Sequence, residues 1–421
     1  MPTQPDDEEL DLIRRSGVVL RVGRLSLSSG TGSYRVKASM ARVAAALGID
    51  RHEAHVTLTE ITTTSHRGRS FRTEVAEVRN IGVNTDRLAE LEWLAQRVEA
   101  REGWTVDEVS EQVDAIAGKA PLYAVWLNAL WAAVACAAFA FLNNGGPVEI
   151  LGAFVGAGLG QGLRRTLIHR GYNQFGVTML AAAVAALAYL GFVELLHLLG
   201  ATGGAHEAGY VSAALFLVPG FPLVTGALDL AKLDFSAGVA RLTHALMIFV
   251  SAAFAVWGVS IVVGLSPDPP RPLLLGFGAM TALRAVASFV GVLGFALMFN
   301  SPWRMALTAA LVATVPNVLR ILAVEQASWP PQAAAAVAAC LVGLLAAAVA
   351  PRLNIPRITV YVPAVTIMVP GVPAYRAVYH LSNGEITQAL SYGVSAALVV
   401  AALAIGLAIA RMLTDREWGF E

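Results

Sequence analysis

The feature that most constrains this chain is a series of apolar segments that begins near residue 120. Residues 1–119 hold 35 of the 60 Asp, Glu, Lys and Arg residues, and the remaining 302 residues hold only 25. Soluble domains usually carry about a quarter charged residues, so only the first section has the composition of one. The later segments are each about 20 residues long, which suits a helix that crosses a bilayer. The sequence therefore predicts a polytopic α-helical membrane protein with a small globular domain in front.

Composition excludes several classes of function. The net formal charge is zero, so no overall positive field attracts nucleic acid. The acidic start MPTQPDDEELDL has no apolar core, and we expect no secretory signal. Cys136 and Cys340 lie in apolar segments and cannot form a disulfide framework or a metal site. His52, His55 and His66 lack the spacing of metal ligands, so we expect no metal and no cofactor.

The front section, residues 1–120, reads as a cytoplasmic α+β domain of order α-α-β-β-α-α. Val, Thr and Ile enrichment predicts its strands, and Asn84 or Thr85 can cap a helix with apolar residues at helical spacing. Another helix is expected after Thr105 or Asp107. The expected ranges are helices 8–27 and 33–47, strands 53–62 and 70–79 around a turn at 66–69, and a helix ending near residue 102.

The membrane section is expected to contain ten transmembrane helices. They form a first five-helix repeat within residues 121–265 and a second within 272–412, followed by a cytoplasmic tail at 413–421. The expected spans are 122–142, 148–167, 175–199, 208–229, 238–264, 273–299, 304–325, 332–350, 358–381 and 388–411.

Basic residues orient these spans. With the front domain in the cytoplasm, Arg271 is the one basic residue in the expected outer loops. This asymmetry is what the positive-inside rule predicts, so both termini are expected on the cytoplasmic side of the inner (plasma) membrane. Ten basic residues fall in the inner loops and span ends: Arg164, Arg165, Arg170, Lys232, Arg241, Arg304, Arg352, Arg357, Arg411 and Arg416.

A short motif recurs once in each half of the membrane section. VPGFP at 218–222 returns as VPGVP at 369–373, 151 residues later. The copies fall in the fourth span of each set of five. Because five is odd, the second set enters the membrane from the opposite side, which is the pattern of an inverted-topology repeat in secondary transporters.

Each motif is expected to break its helix near the bilayer midplane. Proline removes a backbone donor and clashes with the preceding turn, and glycine loosens the helix further. Such breaks are tolerated where they are buried in protein or line a cavity, and paired breaks indicate a substrate site. We expect freed amides and carbonyls to face a polar cavity between spans 4 and 9; a pair of structural proline kinks is the alternative. The candidate substrate-binding residues are Pro219, Gly220, Pro222, Thr225, Asn317, Pro370, Gly371, Pro373 and Tyr375.

Charged residues inside the membrane section are candidates for substrate binding or coupling, because their burial is costly unless they are paired or hydrated. Arg284 lies 11 residues into span 6, and Arg376 follows the second motif by three residues. Both suit a substrate carboxylate; alternatively they pair with helix carbonyls or with Asp229. A proton-driven antiporter needs a group that changes charge, and Asp229 is the acid best placed near a broken helix.

Four segments resemble the threonine/serine exporter family, over nearly the whole chain. They are LSLSSGTGSYRV at 25–36, VAEVRNIGVNTDRLAELEWL at 75–94, VPGFPLVTGALDLAKLDFSAGVARL at 218–242 and TVYVPAVTIMVPGVPAYRAVYHLSNGEITQAL at 359–390. The resemblance implies an inner-membrane exporter of small hydroxy amino acids driven by the proton gradient. In that family the two halves can also occur as separate chains, and some such pairs handle dicarboxylates.

The function predicted is secondary active export of threonine, serine or similar small polar amino acids. Its partners are the substrate, protons and membrane lipid; assembly into a homo-oligomer is left open. Export of a dicarboxylate such as succinate is the alternative within this class. A membrane receptor or scaffold and an intramembrane enzyme are alternatives from other classes. The spans hold no evident nucleophile–base or metal pair for an enzyme.

Overall fold

The computed structural model describes residues 5–79, 81–202, 206, 209–264, 273, 275–415 and 418. Its contacts divide the chain into two compact units. The first combines Met1–Leu122 with Thr225–Thr243, and the second combines Tyr123–Val224 with His244–Glu421. The front domain expected over residues 1–120 therefore shares a unit with a short helical segment from the membrane section.

The front domain has the order α-α-β-β-β-α-α. Its three strands form one antiparallel sheet in the order β1-β2-β3, with Arg51 opposite His66 and Arg67 opposite Ser70. The elements are α1 (Pro5–Ser28), α2 (Ser33–Ala46), β1 (Arg51–Val56), β2 (Glu60–Arg67), β3 (Ser70–Glu77), α3 (Thr85–Ala100) and α4 (Val106–Gly118).

The single strand expected at 53–62 is wrong, because a hairpin turn divides it. The Thr57 amide donates to the Glu60 carbonyl at 2.9 Å, and the Thr57 hydroxyl accepts from the Glu60 amide at 3.1 Å. A threonine side chain thus closes a turn that contains no Gly, Pro, Asn or Asp, the residues that usually signal one. The turn expected at 66–69 is confirmed at Gly68, whose φ of +57° suits glycine.

Side-chain caps begin the last two helices of this domain. The Asn84 side chain accepts from the Arg87 amide at 3.1 Å, as predicted. Thr105 and Glu108 form a reciprocal capping box at the start of α4. The core beneath them buries apolar side chains from both helix pairs and the sheet, including Val36, Met40, Ile61, Leu91, Leu94, Val109 and Val113.

The front-domain histidines have ordinary structural surroundings. His52 Nδ1 is 2.9 Å from the Ser65 hydroxyl across the sheet, and burial lowers the pKa of its imidazole. His66 stacks on Phe71 with ring centroids 5.9 Å apart. These contacts account for two of the three histidines as parts of the sheet.

The described residues of the membrane section form helices joined by turns and short loops. Two of its expected spans, 208–229 and 358–381, are each made of two helices. The helices are α5 (Val125–Leu142), α6 (Pro147–His169), α7 (Gln174–Leu198), α8 (Tyr210–Ala213), α9 (Gly220–Ala231), α10 (Phe235–Val263), α11 (Phe277–Met298), α12 (Trp303–Glu325), α13 (Pro331–Val349), α14 (Arg357–Thr366), α15 (Gly371–Ser382) and α16 (Ile386–Thr414).

Seven of these helices are long and apolar enough to cross a membrane, counted over the described residues. The number rises to eight if α14 and α15 form one bent span. This agrees with a polytopic membrane protein. The prediction of ten crossings also counts α6 and the interrupted segment from α8 to α9, and it stays a prediction.

Within the second unit, α5 packs against both α6 and α11. The helices α11, α12 and α13 pack in succession, and α13 lies along α16. Buried asparagine and glutamine side chains hold the α5 contacts. Asn128 donates to the Met298 carbonyl at 2.8 Å, and Gln161 donates to Asn128 at 2.7 Å. These hydrogen bonds satisfy polar groups that would otherwise be costly in an apolar environment.

Candidate functional site

Both proline-glycine motifs interrupt their helices, as the sequence predicts. In the first, a 3₁₀ turn at Leu215–Leu217 ends before Pro219, and α9 begins at Gly220. In the second, α14 ends at Thr366 and α15 begins at Gly371, with a bend of 48° between the two helices.

The two interruptions have the same local geometry. The Gly220 amide donates to the Val218 carbonyl at 2.8 Å, and the Gly371 amide donates to the Val369 carbonyl at 2.9 Å. Pro222 and Pro373 occupy the first helical turn, where a missing N–H is tolerated. The carbonyls expected to be freed by these prolines are those of the two valines, four residues earlier. Each already has an amide partner, so the expectation that they are free is wrong.

The 151-residue offset of the motif extends to the helices that follow it. The bounds of α9 and α15 differ by 151 at both ends, and so do those of α10 and α16. The offset also relates the contacts made at the two glycines.

The two interrupted segments meet through a reciprocal glycine contact. A Cβ on Gly220 would lie 2.7 Å from Thr366 Cγ2, and a Cβ on Gly371 would lie 2.6 Å from Leu215 Cδ2. Residue 366 is 151 positions after 215, just as 371 is 151 after 220. Each glycine therefore leaves room for a side chain from the other interrupted segment. The two contacts are equivalent under the 151-residue offset. We call the contact of Gly220, Gly371, Leu215 and Thr366 the crossing.

The crossing is tightly closed. The space beside it has room for about one water molecule. The space beside the crossing is therefore far too small to be the open polar cavity expected between spans 4 and 9. Apolar side chains fill the room that glycine leaves. The lining residues are Phe139, Leu215, Val218, Phe295, Thr366, Val369 and Gly371.

A tyrosine pair lies between the same two interrupted segments. The Tyr210 and Tyr375 hydroxyls are 3.2 Å apart, and their rings meet edge to face with centroids 6.0 Å apart. Tyr375 was predicted as a site residue, but Tyr210 was not. The one available signal was its position at the start of the apolar segment that carries the first motif. The pair places two hydroxyl groups on half-helices from different halves of the chain.

Arg284 is held by an acid that the sequence reasoning did not consider. Its two terminal nitrogens donate to the two Glu325 carboxylate oxygens at 2.7 and 2.8 Å, a bidentate ion pair between α11 and α12. Because α11 begins at Phe277, Arg284 lies in the second turn of its helix instead of at mid-span. Its partner is neither a helix carbonyl nor Asp229, which were the alternatives considered.

Asn317 belongs to the same α11–α12 network. Its amide nitrogen donates to the Ser288 hydroxyl at 2.8 Å, and its carbonyl accepts from Arg320 Nε at 3.0 Å. Both ends of this fully buried amide are thus engaged. Arg376, on α15, lies 5.8 Å from the centroid of the Tyr392 ring in a cation–π contact.

In the first unit, Asp229 pairs with Arg241. Its carboxylate Oδ2 lies 3.3 Å from Arg241 Nε, and both side chains are almost fully buried. Arg241 also donates to the Thr31 carbonyl at 3.0 Å. Thr225, one helical turn before Asp229, is buried as well.

The carboxylate of Asp229, which belongs to α9, also lies near the N-terminus of α2. It lies against the amides of Ser33 and Tyr34, and a Cβ on Gly32 would lie 2.7 Å from its Oδ1. Gly32 is the N-cap and supplies no side chain of its own. A carboxylate from a distant part of the chain therefore lies near the N-terminus of α2, where a negative charge is favourable.

A family model for threonine/serine exporters, ThrE, matches residues 17–263. A second model, described as Threonine/Serine exporter, ThrE, matches residues 284–413. Together they extend over both halves of the membrane section and most of the front domain.

Curated relatives carry corresponding names. The chain is 24% identical to the threonine/serine exporter of Corynebacterium glutamicum, over 94% of this chain and 81% of that protein. It is 25% identical to the "Probable threonine/serine exporter" of Mycobacterium tuberculosis, over 94% and 76%. It is also 26% identical to the "Probable succinate transporter subunit YjjP" of Escherichia coli, over 57% of this chain and 93% of that protein. No solved structure matches the chain.

Proposed function

Because the chain belongs to the threonine/serine exporter family, we propose that it is a secondary active exporter of threonine, serine or similar small polar amino acids. Its named relatives are transporters, which argues against an enzyme. Substrate would bind where the two interrupted helices meet. Proton movement into the cell would drive export of the substrate.

The observation that carries this proposal is the reciprocal contact at the crossing. Gly220 against Thr366 and Gly371 against Leu215 are one contact repeated under a shift of 151 residues. Such an exchange is expected if five spans from each half are related by a two-fold axis in the membrane plane. Transporters of this kind bind substrate at the repeat interface and move one repeat against the other. The closed crossing would then be one state of that cycle.

Opening the crossing would create the substrate site. Separation of α9 from α14, and of α15 from the 3₁₀ turn, would uncover the N-termini of two half-helices. These carry partial positive charge and can receive a carboxylate. The Tyr210 and Tyr375 hydroxyls and the Thr366 hydroxyl offer partners for a substrate hydroxyl and ammonium.

The charges of this region support a zwitterion over a dicarboxylate. The side chains that make the crossing and the tyrosine pair are all uncharged. Arg284 is neutralised by Glu325, and Arg376 lies over an aromatic ring. A substrate with two carboxylates would need cationic partners, and Arg284 could supply one only if its ion pair with Glu325 breaks. Succinate export, suggested by the relative named as a succinate transporter, is therefore the second candidate.

In the proposed topology both termini lie on the cytoplasmic side of the inner membrane, as the distribution of basic residues predicts. Asp229 is proposed as a coupling acid. A proton on its carboxylate would weaken the pair with Arg241 and so change what holds the N-terminus of α2.

A direct test uses the purified full chain in vesicles preloaded with labelled threonine, serine and succinate together. We expect an imposed gradient, acidic on the side that corresponds to the cell exterior, to drive loss of threonine or serine well ahead of succinate. Faster succinate loss would select the second candidate. If none of the three leaves faster than from protein-free vesicles, the proposed function is wrong.

A further inference from the structure

A cluster of titratable side chains lies where α6 begins, α7 ends and the segment before α8 starts. His206 Nδ1 is 2.8 Å from Glu149 Oε1, and its Nε2 is 2.8 Å from the Thr202 hydroxyl. The Tyr189 hydroxyl donates to the His206 carbonyl at 2.5 Å. Both ring nitrogens and the backbone of His206 are therefore held by neighbours.

Glu149 lies in the first turn of α6, where a negative charge is favourable, and its side chain is buried. Its side chain is 7% exposed, whereas that of His206 is 22% exposed. Among the described residues, the structure pairs Glu149 with His206 and with no lysine or arginine. Burying an unpaired carboxylate costs several kcal/mol, so the contact with His206 offsets part of the cost of burying Glu149. Histidine is the side chain whose charge changes most readily between pH 5 and 8.

Among the described residues, the other titratable groups around this pair come from α7. Tyr189 is fully buried, and the His197 ring centroid lies 6.4 Å from that of His206. Glu194 Oε2 lies 3.9 Å from His197 Nδ1, and both side chains are more exposed than those of Glu149 and His206. The exposure of the side chains thus falls from exposed Glu194, through half-buried His197 and His206, to buried Glu149. His206 is therefore the member of the pair that lies nearer to solvent.

We propose that Glu149 and His206 form the proton-binding site through which external protons enter the transport cycle. The inference rests on the proposed proton-driven export and on its topology, in which α6 begins and α7 ends on the outer side. A pair on that side meets the more acidic solution across an energised inner membrane.

The position of His206 connects this pair to the interrupted helix. His206 precedes Tyr210 by four residues, and Tyr210 begins α8 and meets Tyr375 on α15. The Tyr189 hydroxyl also lies so close to Gly209 that a Cβ there would overlap it. Protonated His206 is drawn to Glu149 by charge as well as by a hydrogen bond, whereas neutral His206 keeps only the hydrogen bond. A change of protonation therefore alters the hold on His206, four residues before α8.

Two measurements on the full chain in vesicles test this assignment. The first is exchange of labelled threonine for unlabelled threonine at equal pH on both sides, which requires binding and conformational change but no net proton flux. The second is net threonine flux driven by an imposed pH gradient. Glu149→Gln and His206→Gln keep polar side chains of similar size that do not titrate in this range. The matched controls are Glu194→Gln and His197→Gln on the neighbouring turn of α7.

We expect the exchange rate of the two site variants to stay within about twofold of the wild-type rate. Their gradient-driven flux should fall about tenfold or more below that of wild type. The control variants should retain both. If either site variant keeps wild-type gradient-driven flux, the assignment is wrong. If both lose exchange in the same proportion as driven flux, the pair is structural and the assignment is again wrong. If the wild-type protein exchanges threonine but does not respond to the pH gradient, the proposal of proton coupling is wrong. If it shows neither exchange nor gradient-driven flux, the proposal of threonine export is wrong.

Discussion

Gly220 and Thr366 stand 146 positions apart in sequence, yet a single added methyl on Gly220 would lie 2.7 Å from the Thr366 methyl. Gly371 and Leu215 repeat the relationship in the other half of the chain. The two contacts together close the crossing, so they offer the most direct way to change it with small substitutions.

Gly220→Ala should hold the crossing apart. A contact this short forces its neighbours to move, and overpacking of this kind costs about 1–3 kcal/mol. We expect threonine efflux to fall while membrane abundance stays near wild type. Thr366→Ser removes the methyl group that the added Cβ would meet, so the double variant should recover part of the lost flux. Gly258→Ala is the control, since a Cβ there meets nothing within 4 Å. Unchanged flux in the Gly220→Ala protein would remove the crossing from the mechanism.

The Tyr210–Tyr375 hydroxyl pair should contribute to transport through both partners together. A neutral hydrogen bond is worth about 0.5–1.5 kcal/mol, so Tyr210→Phe and Tyr375→Phe should each change the threonine concentration for half-maximal exchange several-fold. The double variant should lose less than the product of the single effects, because either substitution already breaks the pair. Strictly additive effects would mean that the two hydroxyls act separately. Tyr172→Phe, an exposed position, serves as the control.

Proline-to-alanine substitution should close the first interruption. With Pro219 and Pro222 both changed to Ala, the backbone regains two amide donors and the 3₁₀ turn can continue into α9 as a regular helix. We expect threonine efflux to fall much more than membrane abundance does. Pro316→Ala, which changes a proline inside the continuous helix α12, is a matched control. Normal efflux from the double variant would contradict a role for the break.

Asp229→Asn should abolish the dependence of efflux on the pH gradient if Asp229 is a coupling acid. The structure adds a cost: removing one partner of a buried ion pair typically destabilises a protein by about 3–5 kcal/mol. A second substitution, Arg241→Met, removes the charge left unpaired and should restore thermal stability in the purified double variant. Asp234→Asn, which breaks a separate ion pair with Lys37, should leave coupling intact.

The stability measurement separates two roles for Asp229. If gradient dependence returns in the double variant together with stability, Asp229 serves the structure alone. If stability returns and gradient dependence does not, the coupling role is supported. Wild-type gradient dependence in Asp229→Asn itself would exclude Asp229 from coupling.

Much of the architecture followed from local signals in the sequence. The fall in charge after Lys119 separated the front domain from the apolar helices, since lipid does not tolerate frequent charges. The caps at Asn84 and Thr105 were readable because they satisfy amides within three residues. The prolines of the two motifs marked both interruptions, because a missing N–H acts on its own helix wherever that helix packs.

Tertiary structure decided what each interruption and each charge contacts. The pairing of Arg284 with Glu325, of Asp229 with Arg241 and the α2 N-terminus, and of Glu149 with His206 joins residues far apart in sequence. A buried charge requires a partner, but that requirement does not select among the acids and bases available. The closure of the crossing was hidden for the same reason: glycine permits a close approach, and only the packed helices determine that Thr366 and Leu215 make it.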